Sequence, residues 1–468
     1  MRLARYRTDV GSTPLTFPQS SLASVVLMLL LHVGLAFLFR NFRIAATIHA
    51  LLVLLLGLWT ALTADNLVKV VPYAAYITGA ELLWRMTRAG VFWEYGKYAL
   101  VILLSVALIK QKKPLKNLVL PLTYFVLLLP SIILTINALG FTERSAELIS
   151  FNLSGALATF VSIVFFSQVV MDQDALQKTV WAAVYPIIGI LTLAVQSTLT
   201  ATKIDFGSES VFVTSGGFGP NQVSAVLGLG ALLLILYAIQ PNKFKGRTLA
   251  LILALLLIIQ SFLTFSRGGI YNLVVALGMA FIILMRKPSK IFRPFFVVFV
   301  LLVIVGLFVF PKLEALTSGA FSARFTDMDP VSRVNLAKAD YDLFLANPVA
   351  GVGVGMSYYF RIAPVSAAPH TEYSRILAEH GVLGILALTI LVGMLIGAFF
   401  RTSNTMAQAW LVASVGWAAV EMSHAAMRIV AISFMLGLAF ATLEVEELST
   451  TGQPTTSYRF RKFRRYRK

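Results

Sequence analysis

The chain has no cysteine, which excludes disulfides, thiolate nucleophiles and cysteine-bound metal. Charge is scarce too: Asp, Glu, Lys and Arg make up 13% of the residues, about half of the roughly 25% usual in a soluble domain. Acidic residues are the scarcer kind, 21 against 39 basic ones, and there are only 5 histidines. No internal repeat or low-complexity segment stands out before the basic, aromatic tail. What fills the chain instead is hydrophobic, 58% of the residues, at a mean hydropathy of +0.82. It comes in apolar runs of about 20 residues, the length a helix needs to cross the hydrocarbon core. Alternating barrel strands would read quite differently. The expected fold is therefore all-α, a polytopic transmembrane bundle of about 12–14 membrane helices.

The runs fall near 20–39, 45–64, 98–109, 118–137, 150–170, 179–198, 222–240, 248–264, 269–285, 294–310, 375–400, 405–422 and 427–443. No small-residue cleavage site follows the first run, so it reads as a retained span. Basic residues gather in the loops at Lys110–Lys116, Lys243–Arg247 and Arg286–Arg293 and in the tail from Arg459 to Lys468. That distribution is the positive-inside pattern and places these loops and the C-terminus in the cytoplasm. It also accounts for the net charge of +18 without nucleic acid, because the charge follows loops and headgroups rather than a recognition surface. Thirteen crossings would leave the two basic ends on opposite sides. An even count is expected: either one of these runs does not cross, or Val70 to Trp84 enters the membrane as an additional or re-entrant element. The domains are then a membrane bundle over 1–310, an external loop or cap with surface helices over 311–374, further spans over 375–446 and a basic tail over 447–468.

The outward segments carry the chemistry. Glu81 and Arg85 stand four apart and can pair on one helical face, among rings that suit either an interfacial helix or a substrate-lining one. Gly216 to Gln222 is a glycine-rich turn into a helix, with Pro220 at its first turn. Thr264 to Gly269 is a tight hairpin holding Arg267. In the long loop, Ser332 to Leu345 has helical spacing, with Val334, Ala337, Tyr341 and Leu345 on one side. Asn347-Pro348 ends it, and the Gly351, Gly353, Gly355 turn that follows lacks the Lys-Ser/Thr ending of a nucleotide loop. Asp327 and Asp329 offer oxygen ligands for Mg²⁺ or Mn²⁺, but equally cap the next helix. No metal is expected.

Taken in order, Ser266-Arg267-Gly268-Gly269, the Asn347-to-Gly355 turn, Pro369-His370 with Tyr373, and Glu379-x-Gly381-x-x-Gly384 resemble the O-antigen ligase and O-antigen polymerase superfamily. The motifs cover about Gly216 to Gly384. The resemblance implies a GT-C-type glycosyltransferase of the bacterial inner membrane with its active site on the periplasmic face. Its donor would be a glycan on undecaprenyl diphosphate. The acceptor would be lipid A–core for a ligase, or a second lipid-linked repeat for a polymerase. His370 matches the family's essential histidine and Arg267 its hairpin arginine. Candidates for diphosphate and glycan binding are Arg85, Arg88, Arg144, Arg333, Asn221, Tyr373, Glu379, His424 and Arg428. Thr371 replaces the more usual Asn after the histidine, and His380 stands inside the Glu-x-Gly motif.

These residue types suit the chemistry. Charge growing on a departing diphosphate is met by the planar donor fork of arginine. The attacking hydroxyl needs a base near neutrality, which is histidine. His370 directly precedes an expected helix start, whose positive end favours a neutral ring. Glu379 is expected to orient that helix, and His424 stands near Glu421 and Arg428. The expected enzyme is a metal-independent inverting glycosyltransferase without cofactor. A flippase would instead place its charges at mid-membrane, with a repeated topology.

Overall fold

The structure, a computed structural model, describes residues 21–445 apart from 113, 208, 241–245, 287–291, 327–330 and 362–370. It is helical throughout. The chain begins with α1 (Leu22–Asn41), α2 (Arg43–Thr63), α3 (Val71–Met86), α4 (Tyr95–Gln111), α5 (Val119–Val126), α6 (Ser131–Leu139), α7 (Glu143–Phe166) and α8 (Gln173–Thr200). Next come α9 (Pro220–Ile239), α10 (Arg247–Leu263), α11 (Gly268–Leu284) and α12 (Phe292–Ile304). The shorter α13 (Phe310–Leu316), α14 (Ala320–Thr326), α15 (Val331–Ala346) and α16 (Ser357–Phe360) lead to α17 (Glu372–Arg401), α18 (Thr405–His424) and α19 (Val430–Leu438). Two short strands, β1 (Val170–Asp172) and β2 (Thr442–Glu444), pair in parallel and tie the chain after α7 to the chain after α19.

Eight segments among the described residues are long and apolar enough to cross a membrane, and α10 and α11 are shorter apolar helices. The protein is a multi-pass membrane protein. Helices α3, α4 and α18 are less apolar, carrying Glu81 and Arg85, Lys97, and Glu421 and His424 respectively, and α19 is apolar but short.

Helix α3 lies inside the bundle. All of its residues from Val71 to Trp84 are buried. Small residues make this possible: a Cβ on Gly79 would overlap the carbonyl of Ala183 on α8, so the two backbones touch. The apolar run at 118–137 is not one helix. It breaks into α5 and α6 ahead of Pro130, which has no N–H for the helical ladder.

His32 and His49, both within spans, dock α1 and α2 onto α3. The Trp84 indole donates to His49 Nδ1 (3.0 Å), and the two Nε2 atoms of His49 and His32 flank the Tyr76 hydroxyl at 2.9 and 2.8 Å. His32 Nδ1 meets the Met28 carbonyl at 2.7 Å. An indole only donates and a carbonyl only accepts. The chain therefore runs one way: Trp84 to His49, His49 to Tyr76, Tyr76 to His32, His32 to Met28, with both imidazoles neutral. Tyr76→Phe strands one donor and one acceptor and is expected to destabilise the protein by about 2–4 kcal/mol, read as a lowered unfolding midpoint in detergent.

Candidate active site

Arg267 is set by how closely three helices meet. The α10–α11 turn closes locally: Thr264 Oγ1 donates to the Ser261 carbonyl (2.7 Å) and accepts from the Ser266 N–H (3.1 Å). Phe265 holds a positive φ of 55° to make the bend. A Cβ on Gly269 would overlap the backbone of Ser224, so α9 and α11 cross in contact there. Asn221, from the turn that opens α9, accepts from Ser266 Oγ at 2.8 Å. The two glycine-bearing turns read separately in the sequence thus form one structure, with Arg267 partly buried at its edge.

Gly268 faces the His424 ring, and a Cβ there would run into the imidazole. Beneath that ring lies a buried relay. Asn272 Nδ2 donates to Glu421 Oε2 (2.6 Å), and Asn272 Oδ1 faces His424 Nε2 (3.0 Å). An amide oxygen accepts only, so His424 carries a proton on Nε2. Gly268→Ala has to displace His424 and shift the Arg267 turn. It is expected to lower transfer about tenfold to a hundredfold, with only a small change in unfolding midpoint, measured on matched amounts of inserted protein.

Arg85 uses all five of its donors inside the protein. Nε and one Nη2 hydrogen reach the Trp93 carbonyl (3.2 and 2.9 Å), and the other reaches Glu81 (2.8 Å). Nη1 reaches Gln222 (3.2 Å) and the Arg428 carbonyl (3.1 Å). Glu81 in turn accepts from the Val430 N–H (2.7 Å). Arg85 therefore braces α3, α9 and the α18–α19 turn against one another. Arg88 is exposed beside it, with φ 54°. Arg144 lies exposed at the start of α7, bonded to Glu147 (2.7 Å) and to the Tyr359 hydroxyl (2.9 Å).

The first turns of α17 hold the most buried charge. Arg375 lies between Glu372 and Glu379, bonded to both, and also reaches Asn152. All three charged side chains are nearly solvent-free. Glu372 also accepts from the Met427 N–H at 3.2 Å, which joins the start of α17 to the α18–α19 turn. Between them is a small cavity of about 30 Å³ lined by Phe151, Asn152, Glu372, Arg375 and the Ala426–Arg428 turn. Burial works against the charge of Arg428 and lowers its pKa, opposed by Glu421 and Glu372.

The Gly351–Gly355 turn and the Glu-x-Gly motif are two halves of one joint. Gly381 breaks α17 at φ 60°, ψ −141°. The carbonyls freed at Ala378 and Glu379 accept from the N–H groups of Val352 (2.9 Å) and Gly353 (3.2 Å), and Val382 donates to the Pro348 carbonyl (2.7 Å). Irregular backbone at membrane depth is tolerated only where protein satisfies it, and here the turn does so. A Cβ on Gly351 or Gly381 would meet the opposite backbone, so both positions require glycine.

Arg267, Asn221, Arg85, His424 and Arg428 are thus brought together around the α18–α19 turn, and the start of α17 is joined to the same turn. Glu379 is engaged internally, with Arg375 and with Ser357 at 3.0 Å. The Tyr373 hydroxyl donates to the Ala419 carbonyl (3.0 Å). Its ring lines an apolar cavity of about 500 Å³ that continues past Leu391, Val415 and Leu395 to Phe400. His370, Asp327 and Asp329 lie outside the described residues, and so does the side chain of Arg333 in the first turn of α15. The sequence reading missed Arg375, Glu372, Asn272 and Asn152. A signal was present for the first, since Glu372, Arg375 and Glu379 have i,i+3 and i,i+4 spacing.

Fold and site together define a polytopic helical membrane protein with a buried, arginine-bearing polar centre at one end, beside an open apolar groove. A family model described as O-antigen ligase matches residues 252–389, less than a third of the chain but the part that carries Arg267, the glycine turn and the start of α17. This segment is similar to that family. No curated protein matches the chain.

Proposed function

We propose that the protein moves a glycan from undecaprenyl diphosphate to a sugar hydroxyl of lipid A–core, at the periplasmic face of the bacterial inner membrane. The observation that carries this reading is the junction of Arg267, the α18–α19 turn and the start of α17 with the groove that begins at Tyr373. A polyprenyl tail fits an apolar slot open to lipid, and a diphosphate fits the cationic centre at its head.

In this reading the acceptor oxygen attacks the anomeric carbon as the carbon–oxygen bond to diphosphate breaks, with inversion. His370 takes the hydroxyl proton. Arg267 meets the charge that grows on the leaving diphosphate, and Arg428 adds positive potential nearby. Arg85 and Glu379 hold these groups in place, and no metal is assigned a role. Arg267→Ala is expected to slow donor cleavage by about 10²–10³-fold, measured as undecaprenyl diphosphate released in the presence of acceptor. Wild-type release with lipid A–core supports the ligase reading. Release only with a second lipid-linked unit identifies a polymerase instead, and no release under either condition sinks the proposal.

A further inference from the structure

The loop between α3 and α4 carries two neighbouring rings to which the mechanism gives no role, Phe92 and Trp93. They are held differently. Phe92 packs edge-on against Tyr95 of α4, at 5.8 Å between centroids and 78° between ring planes. Trp93 packs elsewhere. Its ring lies nearly parallel to that of Phe218, with centroids 6.1 Å apart and 25° between the planes. The guanidinium carbon of Arg85 stands 4.7 Å from the centroid of the Trp93 ring, within the range of a cation–π contact. The Trp93 carbonyl also accepts from Nε and Nη2 of Arg85. One cation thus fixes both the backbone and the ring of this residue.

Trp93 nevertheless stays 47% exposed. A tryptophan at the end of a membrane helix is ordinarily an anchor in the headgroup layer, but the helices beneath Trp93 are not at the lipid boundary. Helix α3 is buried from Val71 to Trp84. Phe218 stands in the turn that opens α9, which is buried from Val223 to Ile239. The stacked pair therefore covers the ends of two interior helices, where exposure is to water. A Cβ on Gly217 would meet nothing within 4 Å, so open space adjoins Phe218. The same turn supplies Gln222, which accepts from Arg85, and Asn221, which accepts from Ser266 beside Arg267.

We propose that Trp93 is a carbohydrate platform at the rim of the cationic centre, its indole receiving the C–H face of a pyranose ring. One face of a pyranose can present C–H groups while its hydroxyls point outward from the edge, and those C–H groups meet the negative face of an aromatic ring. A ring already fixed by its own protein loses little freedom when a ligand stacks on it. This rests on the reading of the protein as a glycan transferase. Donor and acceptor both carry such rings, and the experiment tells the two apart.

The test uses the full-length chain in proteoliposomes, with a repeat unit on undecaprenyl diphosphate as donor and lipid A–core as acceptor. Trp93→Ala and Trp93→Leu are expected to raise KM about tenfold for the substrate that stacks, with kcat and the unfolding midpoint nearly unchanged. Trp93→Tyr keeps a ring and should remain within about threefold of wild type. A rise in KM for the donor assigns the platform to the donor glycan, and a rise for lipid A–core assigns it to the acceptor. Leucine offers lipid an apolar side chain but no ring, so wild-type KM for both substrates in Trp93→Leu overturns the proposal. A loss confined to kcat also overturns it. A second readout needs no transfer: binding of the free repeat-unit and core oligosaccharides, followed by saturation-transfer NMR, should weaken in Trp93→Leu. If the wild type transfers nothing but binds either oligosaccharide through Trp93, the functional reading fails and the platform stands. If transfer proceeds while neither KM nor oligosaccharide binding depends on Trp93, the platform alone is overturned.

Discussion

Exchange of His370 for Ala is expected to lower glycan transfer by about 10²–10⁴-fold, the contribution of a positioned general base, while the protein still inserts and accumulates normally. The basis is its place in the chain. His370 is followed directly by Thr371, the N-cap of α17, and that helix start is joined through Glu372 and Met427 to the turn that also contacts Arg85. A sugar hydroxyl is far too weak an acid to lose its proton unaided, so a missing base is felt in kcat. The measurement is glycan moved per unit of inserted protein, with donor binding followed separately. Full transfer by the variant removes His370 from the mechanism, whatever the remaining residues do.

Arg375→Met is expected to act through stability. It leaves Glu372 and Glu379 buried without their shared cation, and breaking a buried ion pair from one side costs about 3–5 kcal/mol. The variant should accumulate poorly or unfold at a much lower temperature in detergent. Replacing both carboxylates as well, in Arg375→Met with Glu372→Gln and Glu379→Gln, should recover a large part of the loss, because no unpaired charge remains. Arg375→Lys should fall between, since one ammonium cannot span both carboxylates and Asn152. Wild-type stability in Arg375→Met would show that the triad does not hold the start of α17.

Much of the centre was legible before any coordinates. Arg267 sits in a short turn followed by two glycines, and a glycine pair of that kind is visible in a sequence. The Glu81–Arg85 pair follows from helical spacing alone and is found at 2.8 Å. The place of Asn272 between Glu421 and His424 was not legible, because it lies 149 and 152 positions from them in the chain. A single asparagine in an apolar helix carries no local sign of its partner. The burial of Asp340 on α15 was not legible for a related reason. Apolar spacing marks the face that usually packs, but a fully paired carboxylate can be buried just as deeply.

The sequence by itself determined that this chain is a bundle of membrane helices, which loops are basic, and which polar segments lie at the other end. Hydrophobic length and charge distribution are local properties, and lipid imposes them directly. Only the tertiary structure decided that α3 passes through the centre, that the Gly351 turn satisfies the break at Gly381, and that Arg85 braces the fold with all five donors engaged. Each of these depends on a backbone or charged group finding its partner across a long stretch of chain. In a medium without water, an unmet polar group is costly enough that such partners decide the packing.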